Sequence, residues 1–173
     1  MTTTMNLWVI RHAKSSWANA HQADFDRPLN HRGNKDGKRM TLWMRAQDER
    51  PQRLVSSDAV RARATTEFVR TGYAVPADRV RFDNRLYEAS VDALLAIVRE
   101  LPGDCASVAL VGHNPGSTEF VNALLGRQLI DRLPTLGIAM LSVPPGWSAV
   151  CFGCAKFIAL QTPKTLPKIT APK

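Results

Sequence analysis

Short apolar runs alternate with amphipathic stretches along the whole chain. Leu7-Trp8-Val9-Ile10, Leu54-Val55 and Val108-Ala109-Leu110-Val111 have the pattern of buried strands, each halted by polar residues. Between them lie helical periodicities. Gly33, Gly37, Met40 and Met44 share a face of one helix entered through Pro28-Leu29-Asn30, and the two small residues among them suit close packing. Val60, Ala64 and Phe68 recur at fourfold spacing behind a Ser57/Asp58 cap, which predicts a second helix with that stripe facing a core. Val91, Leu94, Leu95, Val98 and Leu101 after Ser90 predict a third, and Phe120, Val121, Leu124 and Leu125 after Ser117 a fourth, closed by Gly126. Late strands are predicted at Ile138–Val143 and at residues 155–160, the second near a sheet edge. Alternation of this kind implies an α/β protein: three layers, a mainly parallel open sheet, helices on both faces. No repeat or internal linker interrupts it, so residues 1–161 are expected to form one domain and residues 162–173 a flexible tail rich in Pro and Lys.

Three of the predicted strands end on chemistry. The first stops at Arg11-His12, the second leads through Ser56-Ser57-Asp58 to Arg61 in the first turn of its helix, and the third stops at Gly112-His113. In an open α/β sheet the ligand crevice lies beyond the carboxyl ends of the parallel strands. If these strands are neighbours, Arg11, His12, Arg61 and His113 converge on one crevice suited to a phosphoryl group.

The same segments, Arg11-His12-Ala13-Lys14-Ser15, Ser56-Ser57-Asp58-Ala59-Val60-Arg61-Ala62-Arg63-Ala64-Thr65, Leu86-Tyr87-Glu88-Ala89 and Gly112-His113-Asn114-Pro115, resemble the histidine phosphatase superfamily. That superfamily also holds the phosphoglycerate mutases, and the branch most similar is the SixA-like phosphohistidine phosphatases, in order from about residue 5 to about residue 160. The commoner superfamily motif has Gly where Ala13 stands, a departure that branch shares and one that argues against a mutase. The resemblance implies a phosphoglycerate-mutase-like fold, a transient phospho-His12, a phosphate clamp of Arg11, Arg61 and His113, hydrolysis by water, and no cofactor or metal. It also places Glu88 where many members carry a proton-donating acid.

Composition narrows the setting. No apolar run approaches the ~20 residues needed to span a bilayer, and Met1-Thr2-Thr3-Thr4-Met5-Asn6 lacks the pattern of a signal peptide, so a cytoplasmic protein without membrane contact is expected. The net charge of +8 favours anionic substrates. Nucleic acid is not expected, because no Lys/Arg run is interleaved with aromatics. Cys105, Cys151 and Cys154 do not form a disulfide framework, and Cys151-Phe152-Gly153-Cys154 lacks the second ligand pair of a zinc site. His21 and His31 have no carboxylate or Cys at ligand spacing and are expected to be solvated. Residues 24–29, Asp-Phe-Asp-Arg-Pro-Leu, resemble a stretch of the SixA-like branch, and their charges either pin the loop or touch substrate.

A neutral imidazole has a lone pair for in-line attack on phosphorus, and flanking cations favour that neutral form. An alkoxide leaving group needs a proton, whereas the imidazole of phosphohistidine, protonated on its other nitrogen, leaves readily. Glu88 therefore discriminates between substrates. The segment from residue 70 to 86 is too short for an elaborate lid, which favours an open crevice and a protein substrate. The expected activity is that of a phosphatase acting on phosphohistidine in a protein partner. The alternatives are a phosphatase for small phosphoesters and a non-catalytic phosphate-binding module.

Overall fold

A computed structural model describes residues 4–167. Ten regular elements follow one another as β1 (Met5–Arg11), α1 (His31–Arg45), β2 (Arg53–Ser56), α2 (Val60–Tyr73), β3 (Val80–Phe82), α3 (Val91–Arg99), β4 (Ser107–Gly112), α4 (Gly116–Leu125), β5 (Ile138–Val143) and β6 (Lys156–Gln161). They build one six-stranded sheet in the order β3-β2-β4-β1-β5-β6. The first four strands of that order are mutually parallel, β5 runs antiparallel to β1, and β6 antiparallel to β5. The expected α/β sheet with helices on both faces is present, with its antiparallel pairs gathered at one side.

Strand β1 lies near the centre and is buried on both faces, as a strand covered by helices must be. Leu7 and Val9 join a core with Leu94, Leu95 and Val98 of α3 and Phe120, Val121 and Leu124 of α4. Trp8 and Ile10 point the other way, toward Met40 and Met44 of α1 and Ala62, Val69 and Tyr73 of α2. The period-two alternation of one strand thus feeds two separate cores. Helix α1 is capped by the Asn30 side chain, which accepts the Gly33 N–H at 2.8 Å, and its Gly33, Gly37, Met40 and Met44 are buried as expected. The caps on α3 (Ser90) and at the end of α4 (Gly126) also match.

Four expectations need correction. The buried face of α2 carries Arg61, Ala62, Thr65, Thr66, Val69, Gly72 and Tyr73, while Val60 is 37% exposed and Ala64 and Phe68 lie at the margin. Thr65 and Thr66 occupy inward positions because they bond the segments behind the strand ends, which hydrophobic periodicity does not register. The N-cap of α2 is Ala59, without a side-chain bond, and α4 opens at Gly116 behind Pro115, two residues before the start predicted after Ser117. Strand β3 was not anticipated; three residues at a sheet edge, with Arg81 and Phe82 exposed, are too few to show alternation. Finally, the beginning of the tail is docked. Thr162 and Thr165 form a reciprocal capping box, and Leu166, 9% exposed, joins the core that α1 and α2 cover. Residues 168–173 lie outside the described part.

Cys105 is buried just ahead of β4, and Cys151 and Cys154 sit in a turn that leads into β6 with no helix behind it. Among the described residues no cluster of three or more His, Cys, Asp or Glu could hold a metal, and no helix is long and apolar enough to cross a membrane.

Gly33 faces the main chain that follows β1: a Cβ there would fall on the Lys14 carbonyl oxygen, which cannot rotate away. Gly33→Ala should therefore cost about 1–3 kcal/mol in urea unfolding by forcing α1 off this segment. Gly103→Ala, where nothing lies within 4 Å, should stay within about 0.5 kcal/mol of the parent.

Candidate active site

The parallel register brings three strand ends side by side. Arg11 pairs with Gly112, and Ser56 with Val111, so β4 lies between β1 and β2 with its end flush with theirs. One more backbone bond extends each ladder: His12 N–H donates to Gly112 O at 3.0 Å, and Ser57 N–H to Val111 O at 3.0 Å. His12, Ser57 and His113 are consequently held by the sheet itself. Thr65 of α2 adds a brace, accepting the Ala13 N–H at 2.9 Å while donating to Arg61 O at 2.7 Å. From the other side, the Leu136 N–H is shared between Arg11 O and His12 O at 3.0 and 3.1 Å.

These constraints close a cavity of about 360 Å³ walled by Arg11, His12, Arg27, Arg61 and His113, with Trp17, Asp24, Glu88 and Arg132 among its other linings. All five residues expected at the site meet here. His12 is 7% exposed, and its Nδ1 lies 2.7 Å from Ala13 O. A carbonyl accepts, so Nδ1 carries the proton and Nε2 the lone pair. That lone pair receives Arg61 Nε–H at 3.3 Å. Burial first, then the charges of Arg61, Arg11 and Arg27, push His12 down to about 4 from its ordinary 6.5, against the opposing bond to Ala13. The imidazole is neutral at physiological pH.

His113 stands with its ring centroid 5.0 Å from that of His12. Its Nε2 is 2.8 Å from Ser57 Oγ, and its buried Nδ1 has no partner. Ser57 Oγ also accepts the Ala59 N–H at 3.3 Å and keeps its own proton to donate to Nε2, and in that tautomer the ring proton sits on the open Nδ1. Burial, His12 and Arg61 together push His113 down to about 3.

The guanidinium of Arg61 is less open than a free fork. Its Nη1 donates to Asp24 O at 2.6 Å and its Nη2 to Asp24 Oδ2 at 2.9 Å. Tyr87 Oη–H donates to the same Oδ2 at 2.6 Å and, with Arg61 and Arg27, holds the Asp24 carboxyl below the usual carboxylate range. The loop of residues 24–27 therefore pins the site, and Asp24 orients its central arginine. Arg27, which the sequence placed only among the loop charges that pin the chain or touch substrate, is not among the expected site residues but lies on the cavity wall. It is 6% exposed, donates Nη2–H to Ser15 Oγ at 2.8 Å and pairs with Asp24 at 3.1 Å, while Nη1 stays buried without a partner beside the cavity. Its loop has no periodicity, and a charge in a polar segment carries no sign of burial.

Glu88 lies on the cavity wall, exposed, at φ +53°, and its carboxylate makes no hydrogen bond or ion pair among the described residues. Left-handed backbone at a non-glycine costs on the order of 1 kcal/mol and recurs at functional sites. His21 and His31 are exposed and remote from this cavity's lining.

Comparison with known proteins agrees with this arrangement of strand-end imidazoles and guanidinium groups. Residues 7–102 match the family model of the histidine phosphatase superfamily, branch 1. The chain belongs to that superfamily. An uncharacterized protein of Mycobacterium tuberculosis is 30% identical over 164 residues, covering 90% of this chain and all of that protein. A candidate phosphohistidine phosphatase SixA from Agrobacterium tumefaciens superposes with a TM-score of 0.79 at 25% identity, covering 93% of this chain and 99% of its own. A protein histidine phosphatase SixA complexed with tungstate gives 0.80 at 23% identity, over 94% of this chain and 100% of its own, and so shares the fold. Membership of the superfamily and the phosphoglycerate-mutase-like architecture are thereby secured.

Burial of two neutral imidazoles ties stability to pH. In the unfolded chain both titrate near 6.5 and in the folded chain near 4 and 3, so between these limits the unfolded chain binds protons that the folded chain refuses. Stability should rise with pH across that window and level off above about 6.5. The loss at the acid end from His12 alone is on the order of 3 kcal/mol. Urea unfolding compared at about pH 7 and about pH 4.5 should show this slope, and His12→Asn should flatten it.

Proposed function

We propose that this chain is a phosphatase that removes the phosphoryl group from phosphohistidine in a protein partner, through a phosphohistidine intermediate on His12. One observation carries the reading: His12 keeps its proton on Nδ1, bound to Ala13 O, and turns an unprotonated Nε2 toward a cavity rimmed by guanidinium groups. In the first step the Nε2 lone pair attacks phosphorus and the bond to the leaving nitrogen breaks. The leaving imidazole, already protonated on its other nitrogen, departs neutral. In the second step water attacks phospho-His12, phosphate leaves, and the electron pair returns to Nε2.

Charge on the equatorial oxygens needs donors already in place. Arg11, Arg61 and the Nδ1–H of His113 supply them, and Arg27 Nη1 adds another from the loop. No step of this scheme calls for a metal or a cofactor. The phosphoryl oxygens compete with Asp24 for Arg61, so Asp24 serves to hold that guanidinium in place until substrate arrives. The exposed part of the lining also favours a protein partner: Lys14, Trp17, Glu88 and Arg132 are all open to solvent. SixA proteins are named for phosphohistidine, and that substrate class is carried to this chain as part of the proposal.

Acid quenching is unsuitable for a phosphoramidate, so turnover should be stopped in alkali. A phosphorylated enzyme, alkali-stable and acid-labile, should appear with the parent and be absent in His12→Ala; a His12→Ala enzyme of full activity would overturn the mechanism. Arg61→Ala should lower kcat/KM about tenfold or more on every substrate alike.

Glu88 favours a second reading, hydrolysis of small phosphoesters, because an unpartnered carboxyl group on the cavity wall can, in its protonated form, give its proton to a departing alkoxide. Glu88→Gln tests it. A selective loss on alkyl phosphates relative to phosphohistidine supports the phosphoester reading, and an equal small effect on all substrates leaves phosphohistidine favoured.

A further inference from the structure

Trp17 is the most exposed large apolar residue among those described, at 76%, and it belongs to the wall of the same cavity as His12. A single exposed indole is ordinary on a protein surface, and it is the place of this one, on the wall of a polar site beside His12, that singles it out. The ring is nevertheless not free to swing. Arg27 stacks on one face, its guanidinium carbon 3.4 Å from the ring centroid. That guanidinium is anchored in turn by Ser15 Oγ at 2.8 Å and by Asp24 at 3.1 Å, and the strand-like contact of Ser15 with Leu29 ties the two ends of the loop together.

Arg27 thus lines the phosphoryl site and covers one face of the indole, whose exposure leaves the other face to solvent. Its charge is the last in order of those that disfavour a proton on His12. The strand ends close the cavity floor, so the leaving group of a phosphoryl group seated against His12 has its way out on the side of the exposed lining residues, Trp17 among them. We propose that Trp17 is a specificity-determining residue, a stacking platform at the cavity mouth for a planar leaving group, the imidazole ring of the phosphohistidine substrate. The proposal rests on the phosphohistidine reading above and adds the part of the protein that would recognise the ring.

The planarity of the group is what the indole can read. An aromatic ring gains offset stacking there, which between aromatic pairs is worth about three- to tenfold in binding. An aliphatic or ringless leaving group has no plane to offer.

The test compares two substrates with the same labile P–N bond, N-phosphorylimidazole, which has a ring, and phosphoramidate, which has none. For the parent enzyme, Trp17→Phe and Trp17→Leu, kcat/KM is measured on both, with thermal unfolding of each variant to establish that it is folded. The expected result is that the ratio of imidazole to ringless substrate falls about three- to tenfold in Trp17→Leu and is largely restored in Trp17→Phe. An unchanged ratio in folded Trp17→Leu, or an equal fall on both substrates, overturns the platform and leaves Trp17 as a support for Arg27. Failure of the proposed function looks different: the parent itself would then hydrolyse alkyl phosphates and ignore phosphohistidine carried on a protein.

Discussion

Everything at this site depends on the parallel pairing of β1 and β2 to the two sides of β4. A register shift of one residue would turn side chains to the opposite face of the sheet and separate His12 from His113. The pairing holds because β1 and β4 are buried on both faces, so each of their apolar residues opposes slippage. The extra backbone bonds from His12 and Ser57 carry this rigidity one residue past the strands, to where the chemistry is proposed.

Around that frame the electrostatics are arranged in opposition. Two imidazoles are buried next to guanidinium groups, and burial and positive charge both drive them to the neutral form. Positive charge concentrated in this way needs a counterweight when no substrate is present. Asp24 provides it, bonded at once to Arg61 and Tyr87 and paired with Arg27. The carboxylate offsets the mutual repulsion of Arg61 and Arg27 and holds both in place. An incoming dianion is able to share or displace this partner because it presents more charge to the same donors.

Tyr87 and Ser57 show how the surrounding residues act through those that line the floor. The edge of Tyr87 packs at 5.3 Å against the His113 ring while its hydroxyl bonds Asp24, coupling the loop of residues 24–27 to the central strand end. Ser57 holds the His113 ring in one orientation. A polar site assembled from several strand ends and one loop acquires its order from such shared bonds rather than from any single element.

The order of elements, the two-sided burial of β1 and β4, and the meeting of Arg11, His12, Arg61 and His113 follow from local signals, because apolar runs and strand-end position survive in one dimension. Glu88 is also legible, through the resemblance of its segment, although its open carboxylate and left-handed backbone are not. Other features required three dimensions. The inward face of α2 is set by Thr65 and Thr66, polar residues that become buried because particular backbone groups stand opposite them. Strand β3 and the docking of Leu166 rest on edges and surfaces supplied by distant segments, so nothing in their own few residues announces them. Arg27, Asp24 and Trp17 belong to a loop without periodicity, and their importance is a matter of distance to Arg61 and His12, residues far away in sequence. Periodicity reports which way a side chain faces within its own element; which other element it meets there is decided by packing alone.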